Sequence, residues 1–213
     1  MKLHVETLAV GPLETNCYLV WETATKAALC VDPGGEAKTI VAAVKRLGLA
    51  VEAVALTHGH GDHIGALAAV RKEWNVPVWI HDADAPMLTS AERNLSAMIG
   101  MPVSADDAEH RAAHHGVIRF GATEATVLHT PGHTKGSSCF LVRGEGVPLL
   151  FSGDTLFEDD VGRCDLPGGS FTAIQHSIRT QLYVLPEETV VYPGHGPPTT
   201  IGREKRVNKD VRP

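Results

Sequence analysis

The run Thr57-His58-Gly59-His60-Gly61-Asp62-His63 places three imidazoles and one carboxylate within six consecutive residues. Imidazole nitrogens and carboxylate oxygens are donors for divalent metals, and a bound cation offsets the cost of crowding them together. Glycines 59 and 61 let the backbone turn sharply and bring alternate side chains to one centre. Three more donors sit in similar settings: His133 in Thr130-Pro131-Gly132-His133-Thr134, Asp154 in Phe151-Ser152-Gly153-Asp154-Thr155 and His195 in Tyr192-Pro193-Gly194-His195-Gly196. Each reads as a strand, a glycine and then a donor, and ligand sites in α/β sheets collect beyond the carboxyl ends of strands. The full set is five histidines and two aspartates. A catalytic zinc takes three protein ligands plus water, so this set exceeds one ion and suits two ions sharing a bridge.

The chemistry that follows is hydrolysis. Two neighbouring divalent ions lower the pKa of a bridging water and polarise a carbonyl, supplying hydroxide at neutral pH without a serine or cysteine nucleophile. Asp62 has two roles open to it, as a metal ligand and as the catalytic carboxylate that orients the hydroxide. Asp32 and Thr134 are candidates to accept the outer N–H of a ligating imidazole. Asp32 reads equally well as a turn-former before Pro33-Gly34-Gly35. Arg163 reads either as an anchor for a substrate carboxylate or as the partner of Asp165 in a salt bridge within its loop. Zinc is the first expectation for the metal, with iron or manganese compatible with the same donors.

The elements that must position these groups follow from periodicity. Alternating apolar residues predict strands near 3–9, 16–21 and 27–31, with Asp32-Pro33-Gly34-Gly35 ending the meander. A helical pattern runs from Glu36 to Leu47 and stops at Gly48. A strand at 53–57 delivers the histidine run, followed by a helix at about 64–74 and a strand at 76–80. The polar segment 82–116 is the least regular, with room for one or two short helices. Strands resume near 117–120, 125–129, 138–142 and 148–152, then a helix at about 172–183, a strand at 189–192 and a last helix near 201–208. The order meander, βαβ, meander, βαβ predicts two sheets packed face to face with helices outside. No low-complexity linker divides residues 1–213, so one domain is expected.

Composition narrows the partners. The chain has 213 residues, 12 of them histidine, and a formal net charge of −6. Basic residues cluster only at Arg203, Lys205, Arg206, Lys209 and Arg212, which reads as a solvated helix face. Nucleic-acid binding needs many phosphate contacts and is not expected. Cys17, Cys30 and Cys139 lie in apolar runs and read as small buried hydrophobes, whereas Cys164 lies in a loop and reads as an inert thiol. The N-terminal stretch lacks the pattern of an export signal, and no run approaches about 18 apolar residues. The expectation is a soluble, cytoplasmic protein without a membrane partner.

THGHGDH (57–63), PGHT (131–134), SGDTLF (152–157) and YPGHG (192–196), in this order and spacing, resemble the metallo-β-lactamase superfamily. TNCYLV (15–20), VDPGG (31–35) and GPPTTIGREK (196–205) extend the resemblance over nearly the whole chain. It implies an α/β four-layer αβ/βα sandwich. It also implies that His58, His60 and His133 hold a first metal, Asp62, His63 and His195 a second, and Asp154 bridges them. GDTLF followed by VGRCDLPGG (161–169) is most similar to the small, single-domain glyoxalase II-like hydrolases. In that branch a bridging hydroxide attacks the thioester carbonyl of a hydroxyacyl-thiol such as S-lactoylglutathione. The resemblance places Arg163 at the mouth of the site. Glyoxalase II itself carries an additional C-terminal helical region that helps bind glutathione, whereas 18 residues follow His195 in this sequence. Persulfide dioxygenases, a sister branch with one iron held by two histidines and an aspartate, share His58, His60, His133 and Asp154. A metal-binding protein without turnover is the reading outside enzymes. The implied partner is a small-molecule thioester.

Overall fold

The computed structural model describes Met1–Pro213. Two six-stranded sheets form its centre. The first has the order β1 (Leu3–Val10), β2 (Thr15–Glu22), β3 (Ala27–Val31), β4 (Ala50–Ala55), β5 (Val78–Ile80) and β6 (His110–Arg111). The second runs β12 (Thr199–Thr200), β11 (Val190–Pro193), β10 (Leu149–Gly153), β9 (Ser138–Val142), β8 (Thr123–His129) and β7 (Val117–Phe120). In each sheet an antiparallel meander passes into parallel pairing, at β3–β4 and at β10–β11.

Strand β2 shows how the layers are specified. Every residue of TNCYLVWE is buried. Side chains alternate across a strand. Tyr18 and Val20 therefore join Ile118, Phe120, Phe140 and Phe151 between the sheets, while Cys17, Leu19 and Trp21 turn to the outer layer. That layer is helix α1 (Ala37–Leu47) and helix α3 (Leu67–Trp74), which contribute Ile40, Val44, Leu67 and Val70. Helices α5 (Phe171–Ser177) and α6 (Ile201–Val207) cover the second sheet through Ile174 and Ile201. The result is the expected αβ/βα sandwich. No helix is long and apolar enough to cross a membrane.

Several boundaries differ from the sequence reading. The expected helix at 64–74 is two pieces, α2 (Gly61–Ile64) and α3, separated by Gly65-Ala66. A Cβ at Gly65 would lie 2.3 Å from the Gly34 carbonyl oxygen, so this bend lets two backbone segments touch. The histidine strand ends at Ala55 rather than 57, and the chain then leaves the sheet to form the donor loop. The helix at 172–183 loosens after Ser177 into one π-turn, Ile178–Leu182. The irregular segment holds only helix α4 (Ala85–Leu88) and the two-residue β6; the equally short β12 also has too few residues to show a period. Phe140 is fully buried between the sheets. Phe140→Ala is expected to cost about 3–5 kcal/mol through loss of apolar burial and the cavity left behind, measured as a lowered urea midpoint at unchanged slope.

Candidate metal centre

All seven donors lie in segments that follow the carboxyl ends of strands. His58 and His60 lie in the loop leaving β4, and Asp62 and His63 open α2. His133 follows β8, Asp154 follows β10 and His195 follows β11. The glycines preceding the last three make room. A Cβ at Gly194 would stand 2.1 Å from Asp154 Oδ1 and 2.8 Å from His63 Cε1. Gly132 has φ +145°, and a Cβ there would meet the α5 backbone 2.3 Å away at Ile174 N.

The imidazoles are oriented from outside. His133 Nδ1–H donates to the Arg163 carbonyl (2.8 Å) and His195 Nδ1–H to the Leu13 carbonyl (3.0 Å). His63 Nδ1–H donates to Asp32 Oδ2 (2.9 Å). Thr57 Oγ1 gives its proton to Asp32 Oδ2 (2.6 Å) and lies 3.1 Å from His58 Nδ1, from which it accepts. In each ring the outer nitrogen donates a proton to a fixed acceptor, so Nε2 is the nitrogen that faces the centre. His58 Nε2 and His133 Nε2 lie 3.1 and 2.9 Å from His60 Nδ1. The nitrogens of this trio converge on one point. A second trio, Asp62, His63 and His195, converges beside it. Asp154 stands between them: its Oδ2 is 3.5 Å from His133 Nε2 and 3.7 Å from His195 Nε2, and its Oδ1 is 3.4 Å from His63 Nε2.

This packing leaves polar atoms with no protein partner. His60 Nε2, His63 Nε2 and Asp154 Oδ1 are buried without a hydrogen bond. Such groups are costly unless a cation or water completes them. Divalent cations within the two trios would engage His63 Nε2 and Asp154 Oδ1 together with the facing lone pairs, so the donor set fits metal. The electrostatics agree. Burial, reinforced by neighbouring imidazoles, pushes His58 well below its ordinary value and brings His60 down to about 3. Both rings are therefore neutral at physiological pH, the form in which an imidazole can bind metal. Burial also acts to lower His63, but the carboxylates of Asp62, Asp154 and Asp32 outweigh it and hold the ring well above its ordinary value. Burial acts to raise Asp62 and Asp154, yet the imidazoles, His63 foremost, keep both carboxyls low.

Residues 10–195 match the family model of the metallo-beta-lactamase superfamily. The chain belongs to this superfamily. Among curated relatives it is 39% identical to the probable metallo-hydrolase YqgX of Bacillus subtilis, covering 94% of each chain. It is 33% identical to the hydroxyacylglutathione hydrolase GloC of Haemophilus influenzae, covering 97% of each. Among solved structures it is similar to BLEG-1 B3 metallo-beta-lactamase, with TM-score 0.92, 38% identity and coverage of 97% of this chain and 98% of that one. The structure of TTHA1623 in a di-iron-bound form gives TM-score 0.82 at 36% identity, covering 96% and 98%.

For this member of the superfamily, sequence reasoning left three side chains open. Asp32 is both of the things it was read as. Its backbone is left-handed (φ 50°), as in a turn, and its buried carboxylate holds Thr57 and His63. Thr134 does not meet an imidazole. Its hydroxyl donates to Asp84 (2.6 Å) and sits beside Ser137, because the turn after His133 directs it away from the donors. The Arg163 side chain forks onto Asp165 at 2.8 Å twice and also lines the cavity over the site, while its carbonyl holds His133. Asp84 was missed. It accepts from Gly59 N, Gly136 N and Thr134 Oγ1, tying the loop of His58 and His60 to that of His133. It lies in a polar, aperiodic stretch, and only its acceptor role toward two distant loops marks it.

Two outcomes follow from these contacts. Asp32→Ala frees the outer nitrogen of His63, and metal affinity is expected to weaken about 10–100-fold, read by competition with a chelator. Metal must also displace the proton that three carboxylates hold on His63. Loading at neutral pH is expected to release protons, and apparent affinity to strengthen as pH rises; calorimetry in buffers of different ionisation heat checks both.

Proposed function

We propose that this metal-dependent hydrolase of the metallo-β-lactamase superfamily cleaves the thioester bond of small hydroxyacyl thiols. The observation that carries the reading is the pair of donor trios joined by Asp154 beneath a cavity of about 640 Å³. His58, His60 and His133 would hold one ion, Asp62, His63 and His195 the other, and Asp154 would reach both. Ions so held supply acidified water and a polarised carbonyl. Zinc is the first expectation, and iron is supported by the di-iron form of the relative TTHA1623.

The chain's own groups do the rest. Five of the seven donors line the cavity, whose walls include the apolar Leu13, Ile99, Phe157 and Leu166. These walls limit bulk water around the reacting carbonyl. Asp62 accepts the Thr15 hydroxyl (3.0 Å), which fixes its Oδ2, and its low pKa keeps it ionised to orient a water. Overall, water adds to the thioester carbon, the C–S bond breaks, and a carboxylate and a thiol leave. A thiolate departs with little help from an acid. The 33% identity to hydroxyacylglutathione hydrolase GloC supports a hydroxyacyl thioester as substrate.

Purified protein is expected to hydrolyse S-lactoylglutathione and related acyl-thiols, and to stop when a chelator strips the metal. His58→Ala and Asp154→Ala are expected to lower kcat/KM at least about a hundredfold, more than loss of an outer hydrogen-bond partner, with most of the fold intact by circular dichroism. One iron per chain, with oxygen consumed on a glutathione persulfide, would replace this reading with the dioxygenase one. Near wild-type turnover in either variant would remove that residue from the ligand set.

A further inference from the structure

A second cavity, of about 530 Å³, adjoins the first, and Leu95 lines both. Leu95 has a left-handed backbone (φ 66°), rare for a branched side chain. Its turn sends Asn94 and Ser96 to the first cavity and Glu92 and Arg93 to the second. Across from it, Leu166 lines the first and Pro167-Gly168 the second. The divide is held in register with the donors. Gly61 N donates to the Asn94 carbonyl (2.8 Å), and Asn94 Nδ2 bonds the Met87 and Val103 carbonyls.

The two cavities differ in charge. In the first, Arg163 is the one arginine or lysine, and Asp165 occupies its fork. Its remaining charged lining, apart from histidine, is acidic: Asp62, Asp154 and Asp160. An anionic group finds no free cation there. The second cavity carries Arg93 and Lys135, with no acid paired to either side chain. Of the eleven arginines in the chain, only Arg93 and Arg143 bond neither an acid nor a carbonyl. Arg93 is the one of these two that lines this cavity. The acids nearby are engaged elsewhere: Glu92 by the Ser90 hydroxyl (2.9 Å), Asp84 by two backbone amides and Thr134. Lys135 lies two residues beyond His133, so this cavity, lined by two cations and two acids, borders the donor loop itself.

We propose that the second cavity is an anion subsite, in which Arg93 and Lys135 hold a carboxylate or phosphate at the far end of the thiol carrier. The thioester then lies in the first cavity, and the carrier crosses the divide between Leu95 and Leu166. This rests on the thioester reading and narrows it: the substrates are thioesters of anionic thiols. Guanidinium and ammonium together suit a terminal carboxylate or phosphate.

The test compares wild type with the double variant Arg93→Glu/Lys135→Glu. Binding is measured by calorimetry with non-hydrolysable S-methyl thioethers of glutathione, of coenzyme A and of uncharged N-acetylcysteamine. Turnover is measured with the matching lactoyl thioesters. Wild type is expected to prefer an anionic carrier over the uncharged one, and the double variant to lose about tenfold of that preference, the scale of two exposed charge contacts. Added salt is expected to erode it in wild type. Single Arg93→Gln and Lys135→Gln variants are expected to fall between. Loss with the glutathione series points to carboxylate, loss with the coenzyme A series to phosphate, and either supports the subsite. An unchanged preference in the double variant, or none in wild type, overturns it. If no thioester is hydrolysed but the thioether preference is present and lost on charge reversal, the thioester reading falls and the anion subsite stands.

Discussion

Lone pairs repel one another and do not converge unless something holds them in place. In this protein the holding is done from behind. The outer nitrogens of His63, His133 and His195 are bonded to an aspartate or a main-chain carbonyl, which leaves each inner nitrogen aimed inward. Asp32 is central to this. One carboxylate takes the Thr57 amide, the Thr57 hydroxyl and His63, and through Thr57 it also reaches His58. Its desolvation is offset by three donors, so a buried anion of 1% exposure is tolerable.

The sandwich makes that arrangement possible. Four of the donors, His58, His60, Asp62 and His63, follow a strand of the first sheet, and His133, Asp154 and His195 follow strands of the second. The two donor trios each draw on both sheets: His133 joins His58 and His60, and His195 joins Asp62 and His63. The centre therefore spans the seam between the layers. The aromatic core of Tyr18, Phe140 and Phe151 sets how closely the sheets approach and, with that, whether the trios close. Tyr18 contributes directly, donating its hydroxyl to the Pro193 carbonyl two residues before His195 (2.6 Å).

Much of this was legible along the chain. The donors are short-range signals, all but His63 beside a glycine in a segment that follows a strand. The two meanders and the long helices have enough residues to show a period. Less legible were the elements of two to four residues, such as β6, β12 and α4, where no period can be seen. The break between α2 and α3 was also hidden, because its cause is the approach of Gly34, which is remote in sequence.

The residue types and their spacing pointed to metal chemistry, since imidazoles and carboxylates gathered at strand ends are suited to divalent cations. They also determined the layers, because alternation along a strand such as β2 records which side meets which neighbour. What only the tertiary structure decided were partners far apart in sequence. Thr134 turned to Asp84 rather than to a histidine, Arg163 engaged its carbonyl as well as its charge, and Arg93 came to share a cavity with Lys135. Those choices depend on which loops pack together, and no local pattern encodes the distance between loops.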